Sequence, residues 1–201
     1  MRLVGLTGGI GSGKSAVSAR LADRGAVIVD ADAIVRELQS PGTEVFAAIV
    51  ERFGDGVVAA DGTLDRPGLA SRVFGDPAAL ADLSGITHPA VGVEIARRVA
   101  EQAGTDAVVV LDVPLLVEGG RHTVAGILVV DAPEEVALER LARDRGMSEA
   151  DARARMANQA SREDRRAQAD HVIDNRGSLA DLDAAVEEAW AWIQTLPEEP
   201  G

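Results

Sequence analysis

The sequence predicts an α/β fold, a five-stranded parallel sheet sandwiched by helices. Three observations lead there. Five short runs rich in Val, Leu and Ile, at 2–7, 26–30, 107–116, 126–131 and 171–174, are continuously apolar rather than alternating. Such strands are covered on both faces, as in parallel sheets. Helix-spaced segments separate the runs, which fits a doubly wound sandwich. The first run also passes through a cluster of glycines straight into a helical pattern.

In chain order, "RLVGLT" is the first strand, and "KSAVSARLADRG" places Val17 and Leu21 at helical spacing before Gly25 stops it. "AVIVD" is the second strand. From 31 to about 102 the pattern is mainly helical, with breaks expected at Pro41-Gly42, Asp55-Gly56, Asp61-Gly62, Pro67-Gly68 and His88-Pro89. "AVVVLDVPLL" and "GILVVD" are the third and fourth strands. Residues 134–166 hold as many arginines as acids, show no strand and carry few bulky apolar side chains. They read as a mobile solvent-facing helical segment or a salt-bridged pair of surface helices. "HVID" is the fifth strand, and 178–195 carries Leu179, Leu182, Val186, Trp190 and Ile193 at helical spacing.

Composition narrows the function classes. A chain of 201 residues can bury a full core. Without cysteine it can form neither a disulfide nor a thiolate metal site. No apolar run approaches the roughly 18 residues that span a bilayer, and "MRLVGLTGG" does not have a signal-peptide pattern. A cytoplasmic location, with neither membrane nor nucleic acid as partner, is therefore expected. A net charge of −13 opposes nucleic-acid binding. Of the 20 basic residues only Lys14 is a lysine, and it lies inside the glycine cluster.

That cluster, "GGIGSGKS" from Gly8 to Ser15, matches G-x-x-x-x-G-K-[ST] at every required position, between a strand and a helix. Glycines let the backbone curl so that several N–H groups face one anion, and the following helix adds its positive end. Gly9, Gly11, Ser12, Gly13, Lys14, Ser15 and Ala16 are thus candidates for holding a nucleoside triphosphate. Lys14 would reach the β- and γ-phosphates, and the Ser15 hydroxyl would bind Mg²⁺. GTPases, motors and small-molecule kinases share this P-loop NTPase fold. A guanine-reading N-K-x-D would need a second lysine, which the chain lacks.

The acceptor side is sought at the carboxyl ends of strands. Asp30 and Asp32 follow the second strand, and a kinase acting on an alcohol needs a carboxylate beside the hydroxyl. Either could be that base, and either could be a helix cap. By spacing alone, Asp112 and Asp131 both qualify as the acid that orients Mg²⁺.

"LTGGIGSGKS", "VDADAIVREL", "THP", "LDVPLLVE", "ERLARDRG" and "NQASREDRRAQADHVIDN" occur in this order. Together they resemble the dephospho-CoA kinase family over nearly the whole chain. The loop is widely shared; the other elements in this order are more selective. The resemblance implies ATP- and Mg²⁺-dependent phosphorylation of the ribose 3′-hydroxyl of dephospho-CoA. It implies one domain with a core (1–30, 105–135, 168–201), a helical acceptor-binding part (31–104) and a lid (136–167). It favours Asp32 as the base, with Asp30 capping or supporting it. It places His88, Asp112 and Leu115 near the acceptor, and Asn175 near the adenine. His88 also reads as a helix-entry residue before Pro89, and Asn175 as a turn residue before Gly177. Arg140, Arg143 and Arg145 would close over the triphosphate, and Asp112 is preferred to Asp131 for Mg²⁺. The further C-terminal domain that some relatives carry is not expected. Two other readings stand beside this one: a P-loop kinase with a different small acceptor, and a nucleotide-binding regulator without transfer activity. Oligomeric state is not predicted.

Overall fold

In the computed structural model, which describes residues 1–114, 116 and 124–198, β1 (Arg2–Gly8) is the central strand of a parallel sheet. Its companions are β2 (Val27–Asp30), β3 (Val108–Asp112), β4 (Gly126–Asp131) and β5 (His171–Asp174), in the order β2-β3-β1-β4-β5. The register sets what emerges at the carboxyl edge. Leu6 pairs with Asp112 on one side, and Gly8 pairs with Val130 on the other. Asp112 and Asp131 therefore flank the end of β1, where the glycines begin.

The sheet is covered by α1 (Lys14–Asp23) and α9 (Leu179–Ile193), which pack Val17, Leu21, Leu182, Val186 and Ile193 against Val4, Leu6, Val110, Leu128 and Ile173. Fully burying side chains of this size contributes about 1.5–3 kcal/mol each. Ser178 and Asp181 close the start of α9 with reciprocal hydrogen bonds, a capping box. Between β4 and β5 lie α6 (Glu134–Arg145), α7 (Glu149–Met156) and α8 (Arg162–Ala167).

The chain divides into two compact units, Met1–Val29 with Gln102–Gly201, and Asp30–Glu101. The second contains α2 (Ala31–Leu38), α3 (Glu44–Phe53), a 3₁₀ turn at Asp55–Val57, α4 (Arg66–Val73) and α5 (Pro77–Ala100). Its own core is Val45, Ile49, Val57, Leu64, Leu69, Val73 and Ala79.

Three expectations of local structure are corrected. The third strand ends at Asp112 rather than at 116. Val113 N–H still donates to the Leu6 carbonyl (3.1 Å), but Pro114 has no N–H to continue the ladder. Pro67-Gly68 begins a helix rather than breaking one. It lies in the first turn of α4, where a proline loses no helical hydrogen bond, and Asp65 caps the Gly68 N–H at 3.0 Å. His88-Pro89 does not interrupt α5, because Leu83, Ile86 and Ala90 on both sides of it pack on the second core. That packing outweighs the hydrogen bond that Pro89 removes. No described helix is long and apolar enough to cross a membrane.

Candidate active site

The glycine cluster forms the turn between β1 and α1. Gly11 and Gly13 have φ of +77° and +89°, a region that other residues enter only at a cost. A Cβ on Gly11 would stand 2.8 Å from the Ala137 carbonyl, and one on Gly13 would collide with Asn175 Nδ2. The glycines are thus required by conformation and by space. Gly13 is the N-cap of α1, so no side chain caps that helix, and its first turn has no acid. Backbone N–H groups at such an end suit an anion. This cradle fits a triphosphate, and a serine hydroxyl beside it fits Mg²⁺, which takes few protein oxygens and several from phosphate.

Lys14 opens α1, and its ammonium is ion-paired with Asp112 Oδ1. Asp112 is nearly buried at the end of β3, while Lys14 is 16% exposed on its side chain. Ser15 is exposed in the first turn and Ala16 half-buried. Asp131 is held differently. Arg162 Nε and Nη2 each donate to it at 2.7 Å, and Arg166 Nη1 donates at 2.5 Å. Burial pushes the Asp131 carboxyl up, but the hydrogen bonds and charges of Arg162 and Arg166 outweigh it and hold the group below its usual value. The two acids that spacing left equivalent thus have different partners: Asp112 meets the loop lysine, and Asp131 meets α8.

Asn175 is buried where β5 ends. Its Nδ2 donates to the Ser12 carbonyl (2.7 Å), and its backbone N–H donates to the Asp131 carbonyl (2.8 Å). Arg140 of α6 reaches both Ser12 O and Asn175 Oδ1 at 3.4 Å. Arg143 is not brought to the loop: it is exposed and paired with Asp144. Gly9 lies under Arg165, and the Ile10 N–H donates to Gln159 Oε1 at 2.9 Å. A cavity of about 540 Å³ opens between this side of the loop, the end of β4 and residues 153–165. Sequence reasoning missed Gln159, Arg162, Arg165 and Arg166 as neighbours of the loop. Their sequence signals are the motif "NQASREDRRAQADHVIDN", which holds all four, and the arginine density of "SREDRR" within it.

In the second unit, Asp30 caps α2 by accepting from the Ala33 N–H (3.0 Å). Asp32 is exposed in the first turn of that helix. His88 is exposed in the middle of α5. Leu115 lies outside the described residues.

A parallel sheet of this order, with a glycine loop and a lysine at the head of α1, is that of a P-loop kinase. The dephospho-CoA kinase family model matches residues 2–181. A dephospho-CoA kinase of Streptomyces avermitilis is 52% identical over 100% of this chain and 98% of its own length. Among solved structures, TT1252 from Thermus thermophilus aligns with a TM-score of 0.81 and 35% identity, over 95% of this chain and 97% of that one. A dephospho-CoA kinase from Campylobacter jejuni shares the fold, with a TM-score of 0.72 at 23% identity, over 96% and 98% of the two chains. The chain belongs to the dephospho-CoA kinase family.

Proposed function

We propose that this chain transfers the γ-phosphoryl group of ATP to the ribose 3′-hydroxyl of dephospho-CoA, giving coenzyme A and ADP, the last step of coenzyme A biosynthesis. Family membership supports the reaction. The observation that carries the triphosphate half is the uncapped start of α1 behind Gly11 and Gly13, with the chain's one lysine at its head.

The residues divide the work as follows. Backbone N–H groups from Gly9 to Ala16, other than that of Ile10, which Gln159 holds, would bind the phosphates, and Lys14 would neutralise charge on the β- and γ-oxygens. For Lys14 to do so, its ammonium turns from Asp112 toward the nucleotide. Mg²⁺, when bound, would supply positive charge that draws electron density from the transferring group. Ser15 would hold it directly, and Asp112 would orient its waters. Arg140 would add positive charge at the triphosphate, and Asn175 would face the base. Arg143 is kept as a nucleotide contact only in a state where it leaves Asp144. Asp32 would align the attacking hydroxyl and take its proton. His88 and Leu115 would contact the acceptor. The helical part 31–104 would bind that acceptor, and 136–167 would close over the nucleotide as a lid.

The test is ADP formation from ATP and Mg²⁺ with dephospho-CoA, adenosine, a nucleoside monophosphate or shikimate as acceptor, with Lys14→Ala as the blank. Turnover with dephospho-CoA, and far less with the others, is expected. A better acceptor among the others overturns the substrate assignment. Full activity in folded Lys14→Ala overturns the role of the loop.

A further inference from the structure

Asp131 is the last residue of β4, and its side chain is 4% exposed. A carboxylate ionised at that depth needs full compensation. Arg162 supplies it in fork geometry, one hydrogen bond to each oxygen, and Arg166 adds a third. These two arginines are four residues apart on α8 and so share one face. One carboxylate therefore fixes both the place and the rotation of a six-residue helix that has no buried side chain of its own.

Arg165 lies between them in sequence, and its guanidinium goes elsewhere. Nη1 donates to the Ala160 carbonyl (2.5 Å), and Nη2 stands 2.6 Å from the point where a Cβ on Gly9 would be. Only a glycine there lets the guanidinium come so close. The neighbouring Ile10 N–H is held by Gln159. The segment 159–166 thus touches the phosphate loop at two consecutive residues and is fastened to the sheet at Asp131. The Arg165 guanidinium, bonded to a neutral carbonyl, brings a cation to the loop in a cavity that Glu134, Glu135 and Glu163 also line.

We propose that Asp131 is a positioning residue for phosphoryl transfer: by clamping Arg162 and Arg166 it sets Arg165 over Gly9, where the guanidinium meets the triphosphate. This rests on the kinase function proposed above. A cation held in place before reaction spends nothing on reorganisation as charge develops, so its effect falls on the chemical step. The loop, Lys14 and the start of α1 still bind ATP when the clamp is cut. The loss should therefore appear in kcat and hardly in the KM for ATP.

A double-mutant cycle tests it: kcat, KM for both substrates and melting temperature for wild type, Asp131→Asn, Arg165→Ala and the double variant. Arg165→Ala should lower kcat about 100-fold, and Asp131→Asn about 10-fold or more, with KM for ATP changing less than about 3-fold. The double variant should be within about 2-fold of Arg165→Ala, since the second change then has nothing left to position. If Asp131→Asn does not fold, Arg162→Gln with Arg166→Gln replaces it in the same cycle. Multiplying losses, or a folded clamp variant with wild-type kcat, would overturn the inference. A wild type without turnover overturns the kinase function itself, and the inference with it.

Discussion

Asp30 and Asp32 are chemically identical, two residues apart, and differ in what their side chains already do. Asp30 has given an oxygen to the Ala33 N–H, while Asp32 is exposed in the first turn of α2. Asp32→Asn keeps the shape but cannot accept a proton. We expect kcat to fall roughly 10²–10⁴-fold, with ATP affinity unchanged by calorimetry. Asparagine caps a helix as well as aspartate does, so Asp30→Asn should leave kcat and melting temperature close to wild type. Asp30→Ala should cost about 1 kcal/mol of stability. A larger fall in kcat for Asp30→Asn than for Asp32→Asn would show the pair to be assigned backwards. At this scale the loop was legible in the sequence because its chemistry is local: glycine, lysine and serine within eight positions. By spacing alone Asp112 and Asp131 were not separable, because both end apolar strands. What distinguishes them is which cation reaches each, and those cations lie 98 residues away in one case and 31 and 35 in the other.

Among the elements, α6, α7 and α8 show where periodicity ends as a guide. Their sequence has little apolar pattern to read: α7 buries only Ala152, and α8 buries nothing. Charge pairs hold α7 and α8, while α6 also buries Ala137 and Leu141. Arg153 bridges to Glu149 and Glu134, exposed pairs that solvent screens and that therefore contribute little. The stronger attachment is at Asp131. Local opening should therefore begin at the end of α6 and in α7 and reach α8 last. Trypsin under native conditions should cut first after Arg143, Arg145, Arg153 or Arg155. ATP with dephospho-CoA should slow those cuts by holding the segment closed. Rates unaffected by both ligands would mean that these helices are a static surface pair and not a lid. The α5 helix presents the opposite case. Its Pro89 made a break the natural expectation, and packing of the flanking residues, which no local rule registers, kept it whole.

For the whole molecule, strand count, parallel pairing and the helical nature of 31–102 could all be read from composition and spacing. The partition of the hydrophobic residues into two cores could not. Apolar runs say that side chains are buried, not with which others. Val4, Leu6, Leu128 and Ile173 belong to one core, and Val45, Ile49, Val57 and Leu69 to the other. Separate cores imply separable stability. Ile49 is fully buried in the second core. Truncating it to alanine should cost about 2–5 kcal/mol, the usual range for an aliphatic side chain cut back to its Cβ. If the two units open independently, hydrogen exchange should accelerate at amides of α3, α4 and α5, while amides of β1 and β4 keep wild-type protection. ATP affinity should then stay within about 2-fold of wild type, because every loop residue belongs to the other unit, while turnover of dephospho-CoA falls. Leu128→Ala, in the sheet, should do the reverse, weakening ATP binding together with β1 protection. Equal acceleration of β1 and α3 amides in Ile49→Ala would show that the two cores unfold as one, and acceptor and nucleotide binding could not then be destabilised separately.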